Sequence, residues 1–160
     1  MDRVAGDFEY DEFIRDDLYH CASIGKNNKI LHVQVSRYLY PWFDFSKGRP
    51  IARIVVLSDD PMHERVRNFN EIILDGLKTI PNCVTHHEIF KTEDDRLIFV
   101  EITARPSGAF ICPAYELNIG LDLKLVHYQL QIGLDFNLVI KQGVYTAWAM
   151  FSKNQEKSYD

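Results

Sequence analysis

The sequence predicts an α+β domain in which an antiparallel sheet packs with helices. Three observations predict it: β-rich segments fill the first forty residues, a long amphipathic helix interrupts them, and a strand hairpin followed by two short helices completes the order. With 160 residues, 46% of them hydrophobic and 12% aromatic, the chain has enough apolar material for one core without covalent staples.

Phe8 to Ile14 forms a short strand candidate with alternating acids, closed by the turn-like Arg15-Asp16-Asp17. Leu18 to Ile24 and Ile30 to Tyr40 are β-rich. The Gly25-Lys26-Asn27-Asn28-Lys29 segment between them reads as a hairpin loop, since Gly and Asn tolerate positive φ. Pro41 to Pro50 holds Trp42, Phe43 and Phe45 between turn residues and reads as an aromatic loop. The longest apolar run, Ile51 to Leu57, is interrupted by Arg53. Ser58-Asp59-Asp60-Pro61 then offers N-cap residues and a first-turn proline. Met62, Val66, Phe69, Ile73, Leu77 and Ile80 recur at steps of three and four, which predicts one helix with a buried stripe, stopped by Pro81-Asn82. Cys83 to Lys91 and Arg96 to Ala104 are strands joined by a polar turn at Asp94-Asp95. Ala114 to Ile119 and Leu123 to Ile132 are short helices separated by Gly120, with Asp122 as cap and Gly133 as terminator. Val144 to Phe151 is a final strand. Residues 1–152 are expected to form the domain and 153–160 a polar tail.

Composition narrows the function classes. The net charge of −5 at pH 7, from 23 acids against 18 bases, comes with no basic run and argues against nucleic-acid binding. Cys21, Cys83 and Cys112 are widely spaced and odd in number, as expected of reduced thiols rather than a disulfide frame or a zinc site. The acidic start lacks the apolar core of a signal peptide, and no window is apolar enough to span a membrane. A cytoplasmic location without membrane partners is expected.

The chemistry concentrates between Glu88 and Gly108. Side chains on a strand alternate faces, so Val84, His86, Glu88 and Phe90 share one face and Phe99, Glu101, Thr103 and Arg105 share another. A loop centred between Asp94 and Asp95 sets Glu88 opposite Glu101. Facing residues in an antiparallel ladder stand ~5 Å apart at Cβ, and like charges there repel unless a cation bridges them. Two carboxylates so placed suit Mg²⁺, held together with substrate phosphates. Arg105, on the same face, offers a planar fork for a phosphate or carboxylate. The bland alternative is a pair of solvated glutamates, which a register slip of one residue would also part. His86 can flank Glu88, although a histidine satisfied inside the core is the commoner arrangement. Cys112 reads as a packed thiol and Asp59-Asp60 as a helix cap.

The run Phe99-Val100-Glu101-Ile102-Thr103-Ala104-Arg105-Pro106-Ser107-Gly108 resembles the signature strand of the ATP-grasp superfamily, in which acid-x-Asn-x-Arg-Pro-x-Gly meets Mg–ATP. His86-His87-Glu88-Ile89-Phe90 is similar to the partner strand that carries the other metal acid. Ala114-Tyr115-Glu116 through Gly120-Leu121-Asp122-Leu123 resembles the family's following helix and Gly-x-Asp element. Asp11-Glu12-Phe13-Ile14 is similar to the strand whose backbone reads adenine, and Ile30 to Pro41 fits the branch that joins carboxylates to amines.

This resemblance implies the carboxy-terminal subdomain of an ATP-grasp fold and part of an ATP-dependent carboxylate–amine ligase. Its cofactors would be ATP and Mg²⁺, with Mn²⁺ possible. Glu88, Glu101 and Thr103 would serve the metal, and Arg105 the phosphate or acyl-phosphate. The Glu12 carbonyl and Ile14 amide would hold adenine, with Phe13 between them and Asp17 near the ribose. Small carboxylate and amine substrates would be partners, as would an amino-terminal lobe from the same protein or another chain. The chain departs from the pattern in having Thr103 for the usual Asn, Leu18 for the ribose acid, and neither a Gly-rich loop nor a strand lysine for the phosphates. The alternative is a non-catalytic nucleotide- or cation-binding remnant or subunit.

Overall fold

The structure, a computed structural model, describes residues 12–14, 17–78, 80–141 and 144–152. Six strands form one antiparallel sheet in the order β5-β4-β1-β2-β3-β6. They are β1 (Asp17–Lys26), β2 (Lys29–Tyr38), β3 (Ile51–Val55), β4 (Val84–Lys91), β5 (Leu97–Thr103) and β6 (Ala147–Met150). Helix α1 (Pro61–Gly76) covers one face, while α2 (Ile111–Ile119) and α3 (Leu123–Gln131) cover part of the other. The expected α+β layout is therefore found. No helix among the described residues is long and apolar enough to cross a membrane.

Strand alternation builds two layers of core. Tyr19, Cys21, Val33, Val35 and Ile89 point to α1, where Val66 is buried beside the half-buried Met62 and Phe69. Ala22, Ile24, Val55 and Val84 point the other way, onto Tyr115, Ile119, Leu123, Val126 and Leu130. A third cluster of Leu18, Tyr38 and Ile51, with Phe45 and Phe90 against it, continues that second face beyond the reach of α2 and α3. Between these two apolar patches lies a strip of buried polar side chains, which positions the site described below.

The helix caps form as the sequence predicts. The Asp60 carboxylate accepts from the Met62 amide at 2.8 Å, and Asp122 accepts from Lys124 and Leu125 at 2.8 and 3.3 Å. Gly120 ends α2 at φ 76°. The stripe of α1 shifts, however. Leu77 lies past the last helical residue and is exposed, while Asn70 and Leu74 are buried in line with Val66. Asn70 is buried because it has partners there: it donates to the Ser23 hydroxyl at 2.9 Å, and its carbonyl oxygen meets His87 Nδ1 at 2.8 Å.

Other boundaries move for local reasons. The β1–β2 hairpin closes with the two-residue turn Asn27-Asn28, at φ 51° and 59°, instead of a five-residue loop. Gly25 sits at a bulge there, exchanging backbone hydrogen bonds with Cys83 at 2.8 and 3.1 Å. Ile51–Val55, read in the sequence only as an apolar run, is a strand paired on both sides. The aromatic loop contains a 3-10 turn at Trp42–Lys47 with no buried residue. Helix α2 starts at Ile111, three residues before the expected start, and β6 covers only four residues of the expected final strand.

The expected strand Phe8 to Ile14 is not found where it can be checked. Residues 12–14 have no strand pairing, and 8–11 lie outside the described residues, as do Arg15, Asp16 and the 153–160 tail. Asp17, expected in a turn, is the first residue of β1.

Candidate metal and nucleotide site

Glu88 on β4 stands directly opposite Glu101 on β5, and His86 opposite Thr103, as the strand pattern predicts. The register arises from two offsets that cancel. The connection runs from Lys91 to Leu97 and closes through Thr92 N to Arg96 O at 2.9 Å, so it is centred on Asp94 instead of the Asp94–Asp95 bond. Val100 then forms a bulge, because Ile89 pairs with Phe99 while Glu88 pairs with Glu101. The bulge corrects one expectation: Phe99 turns to the α1 side, 5.4 Å from the His87 ring, and does not share a face with Glu101.

The two carboxylates are held differently. Glu88 is half-buried and accepts from the Tyr38 hydroxyl at 3.2 Å, whereas Glu101 is exposed. The Tyr38 phenol is pushed up to about 12, foremost by burial, with Glu88 adding to the effect. His86, only 5% exposed, aims Nε2 between the carboxylates, 3.6 Å from Glu88 and 3.9 Å from Glu101. One ligand atom from each of His86, Glu88 and Glu101 lies within 4.8 Å of the others. These are suitable donors and spacings for a divalent cation.

Below this cluster runs the buried polar strip. Arg53 on β3, 2% exposed, donates through Nε to Ser36 Oγ at 2.5 Å and through Nη2 to Ser36, the Tyr115 hydroxyl and His20 Nδ1. Its guanidinium lies 5.3 Å from the Tyr38 ring centre and 5.2 Å from that of Tyr115. His20 Nε2 meets His86 Nδ1, and both atoms are in reach of Ser107 Oγ, at 2.9 and 3.1 Å. Burial, then the Arg53 charge, holds His20 well below its ordinary value, so it is neutral. The sequence signal for this strip was a single arginine inside an apolar run. His20, Ser36, Tyr38, Arg53, Ser107 and Tyr115 were not assigned to the site, because alternation does not reveal which polar side chains converge from five elements.

The remaining expected residues are placed as follows. Thr103 donates its hydroxyl to the His86 carbonyl at 3.4 Å. Arg105 is exposed just past β5, its Nη1 donating to the Pro106 carbonyl at 3.2 Å, and its charge reaches His20. Asp17 lines a cleft of about 310 Å³ together with Leu18, Tyr38, Tyr40, Lys91 and Glu93. Tyr38 thus connects that cleft to Glu88. Glu12 and Phe13 are exposed, Ile14 is half-buried, and the Phe13 ring meets Phe43 edge-on at 6.2 Å. Cys112, expected to be a packed thiol, is buried and donates to the Ser107 carbonyl at 3.2 Å.

No known family profile matches the sequence, and no curated protein matches it. Solved structures do match in fold. The chain is similar to phosphoribosylglycinamide synthetase from Anaerococcus prevotii, with a TM-score of 0.60 and 16% identity over 78% of this chain and 31% of that one. It is similar to carboxyaminoimidazole ribonucleotide synthase from Aspergillus clavatus, determined with ATP, with a TM-score of 0.61 and 12% identity over 85% and 34%. It is also similar to an L-amino acid ligase from Bacillus licheniformis, with a TM-score of 0.55 and 17% identity over 73% and 29%. The chain shares its fold with part of each of these structures and spans about a third of their length.

Proposed function

We propose that this domain provides the metal-and-phosphate side of an ATP-dependent ligase that joins a carboxylate to an amine. The carrying observation is the facing pair Glu88 and Glu101, set on the hairpin of a sheet shared with ATP-grasp ligases. Like charges directly opposed in a ladder cost stability, so a bound cation is the physical reason for keeping them. Glu88 and Glu101 would hold Mg²⁺, which would supply charge neutralisation for the ATP phosphates. Arg105 would meet the transferred phosphoryl group or the acyl-phosphate, and Thr103 would make a weaker contact to metal or water. Adenine and ribose would lie along Glu12 to Ile14 and the cleft beside Asp17. In such a reaction the substrate carboxylate takes the γ-phosphoryl group with release of ADP, and an amine then displaces phosphate from the acyl carbon. Catalysis there is mainly positioning and charge compensation. An amino-terminal lobe would supply the remaining phosphate contacts.

The test is thermal unfolding of the chain with Mg–ADP. Ligand at a hundred times Kd stabilises by ~2.7 kcal/mol, a readily measured shift. Wild type should respond and Glu101→Gln should not. Equal shifts in the two proteins would remove the site from this hairpin.

A nucleotide- or cation-binding module without turnover is the second reading. It is favoured by the Thr103 hydroxyl, which faces the His86 carbonyl where the family has an amide side chain. ATP hydrolysis by the chain, alone and with candidate carboxylates and amines, separates the two.

A further inference from the structure

We infer that His86 is a third metal ligand, and that it turns the Glu88–Glu101 site toward a first-row transition-metal dication in preference to magnesium. The inference rests on the carboxylate-pair reading above and adds a nitrogen donor to it.

Three features of the structure support the assignment. His86 lies on the same face of β4 as Glu88, two residues away, so alternation brings its ring to the carboxylates. Its Nε2 stands 3.6 and 3.9 Å from one oxygen of each, too long for hydrogen bonds, and makes no hydrogen bond to any other described residue. Two donors that each bind a cation at ~2.0–2.2 Å stand ~3–4 Å apart, so these separations are those of ligands around an ion. Finally, the far side of the ring is anchored in the way metal-bound imidazoles are. Nδ1 lies 3.1 Å from Ser107 Oγ, in a pocket closed by His20.

Ligation sets the tautomers of the two buried histidines. Arg53 donates to His20 Nδ1, which leaves the single His20 proton on Nε2. Ser107 Oγ is 2.9 Å from that nitrogen and can accept its proton. Ligation through Nε2 requires the His86 proton on Nδ1, so when an ion binds, the His20 Nε2–His86 Nδ1 contact must give way to separate donation from both nitrogens to Ser107 Oγ. In that arrangement the His86 Nε2 lone pair is free and directed at the carboxylates. Ser107, and behind it His20 and Arg53, are positioning residues for the ligand.

One imidazole and two carboxylates differ chemically from an all-oxygen site. Mg²⁺ favours oxygen donors in near-ideal octahedral geometry and gives up water reluctantly. Imidazole gains affinity across the first transition row from manganese to copper. Manganese is the weakest of that series, so it makes a conservative probe.

The test uses Mn²⁺ with the full chain, with and without ADP, followed by electron paramagnetic resonance. Bound Mn²⁺ in wild type should show nitrogen modulation from one imidazole in the electron spin echo. Glu101→Gln should abolish binding. His86→Gln should remove the modulation and weaken Mn²⁺ at least about tenfold, the lower end for losing even an outer-shell partner, while Mg²⁺ changes less than about threefold. Mn²⁺ bound without nitrogen modulation overturns this inference and leaves the carboxylate pair standing. Modulation that persists in His86→Gln identifies another histidine and overturns it too. No binding by wild type in either condition overturns both readings. If His86→Gln does not fold, the wild-type echo alone decides.

Discussion

Glu88 and Glu101 face each other across the β4–β5 ladder, with His86 Nε2 3.6 Å from the first carboxylate and 3.9 Å from the second. Glu88 is half-buried and fixed by Tyr38, while Glu101 is free to adjust in solvent. For the cation site proposed above, Glu88 would offer the partly buried, hydrogen-bonded donor and Glu101 the exposed one.

Without ligand, this pair should be a slight burden to the fold. Like charges directly opposed destabilise by about 0.2–1 kcal/mol. Glu101→Gln is therefore expected to unfold at the same temperature as wild type or slightly higher, while losing its response to Mg–ADP. A variant markedly less stable without ligand would show that Glu101 supports the fold, and the carboxylate pair would lose its functional reading.

Acid should destabilise the protein through histidines. Burial foremost, helped by His86, lowers His87 from 6.5 to about 4, and burial with Arg53 lowers His20 further from its ordinary range. Both folded values are depressed, so the unfolded chain binds protons that the folded chain refuses. The His87 contribution is complete above pH 6.5 and is lost as pH falls toward 4, and His20 acts in the same direction. For His87 alone the loss is about 3 kcal/mol. Unfolding midpoints in urea from pH 7.5 to 4.5 test this, and His87→Phe should flatten part of the slope. A midpoint unchanged between pH 7 and 5 would refute it.

Arg53 should matter more to stability than a charged residue usually does. Its guanidinium is buried, hydrogen-bonded to Ser36, Tyr115 and His20, and close to both the Tyr38 and Tyr115 rings. Arg53→Ala should cost about 3 kcal/mol or more, through a cavity and several orphaned partners. Tyr115→Phe, which keeps the ring and deletes one hydroxyl, should cost about 1–2 kcal/mol. Chemical denaturation of both variants checks the order. A larger loss from Tyr115→Phe would contradict the central place of Arg53.

Two glycines should respond with opposite signs. A Cβ at Gly25 would meet the Pro81 carbonyl oxygen at 2.5 Å and Ile80 Cγ2 at 2.8 Å, whereas one at Gly76, the last residue of α1, would meet nothing within 4 Å. Gly25→Ala should destabilise by about 1–3 kcal/mol through backbone displacement. Gly76→Ala should stabilise by up to about 1 kcal/mol through helix propensity. Thermal unfolding of the pair is sufficient, and a neutral Gly25→Ala would show that the β1–β2 bulge yields easily.

The sequence by itself determined the features governed by near neighbours. Asp60 and Asp122 cap their helices and Gly120 ends α2, because a terminal amide or a positive φ is satisfied within a few residues. Alternation placed Glu88 opposite Glu101, although only the bulge at Val100 restored the register that the turn had displaced. The tertiary structure alone decided the site's floor. His20 and Tyr115, 95 residues apart, hydrogen-bond at 3.0 Å, and Arg53 joins them from a third element. A buried polar group must find a partner wherever the fold brings one. Its residue type shows that need, but which strand or helix meets it is settled only when the sheet and α2 close around it.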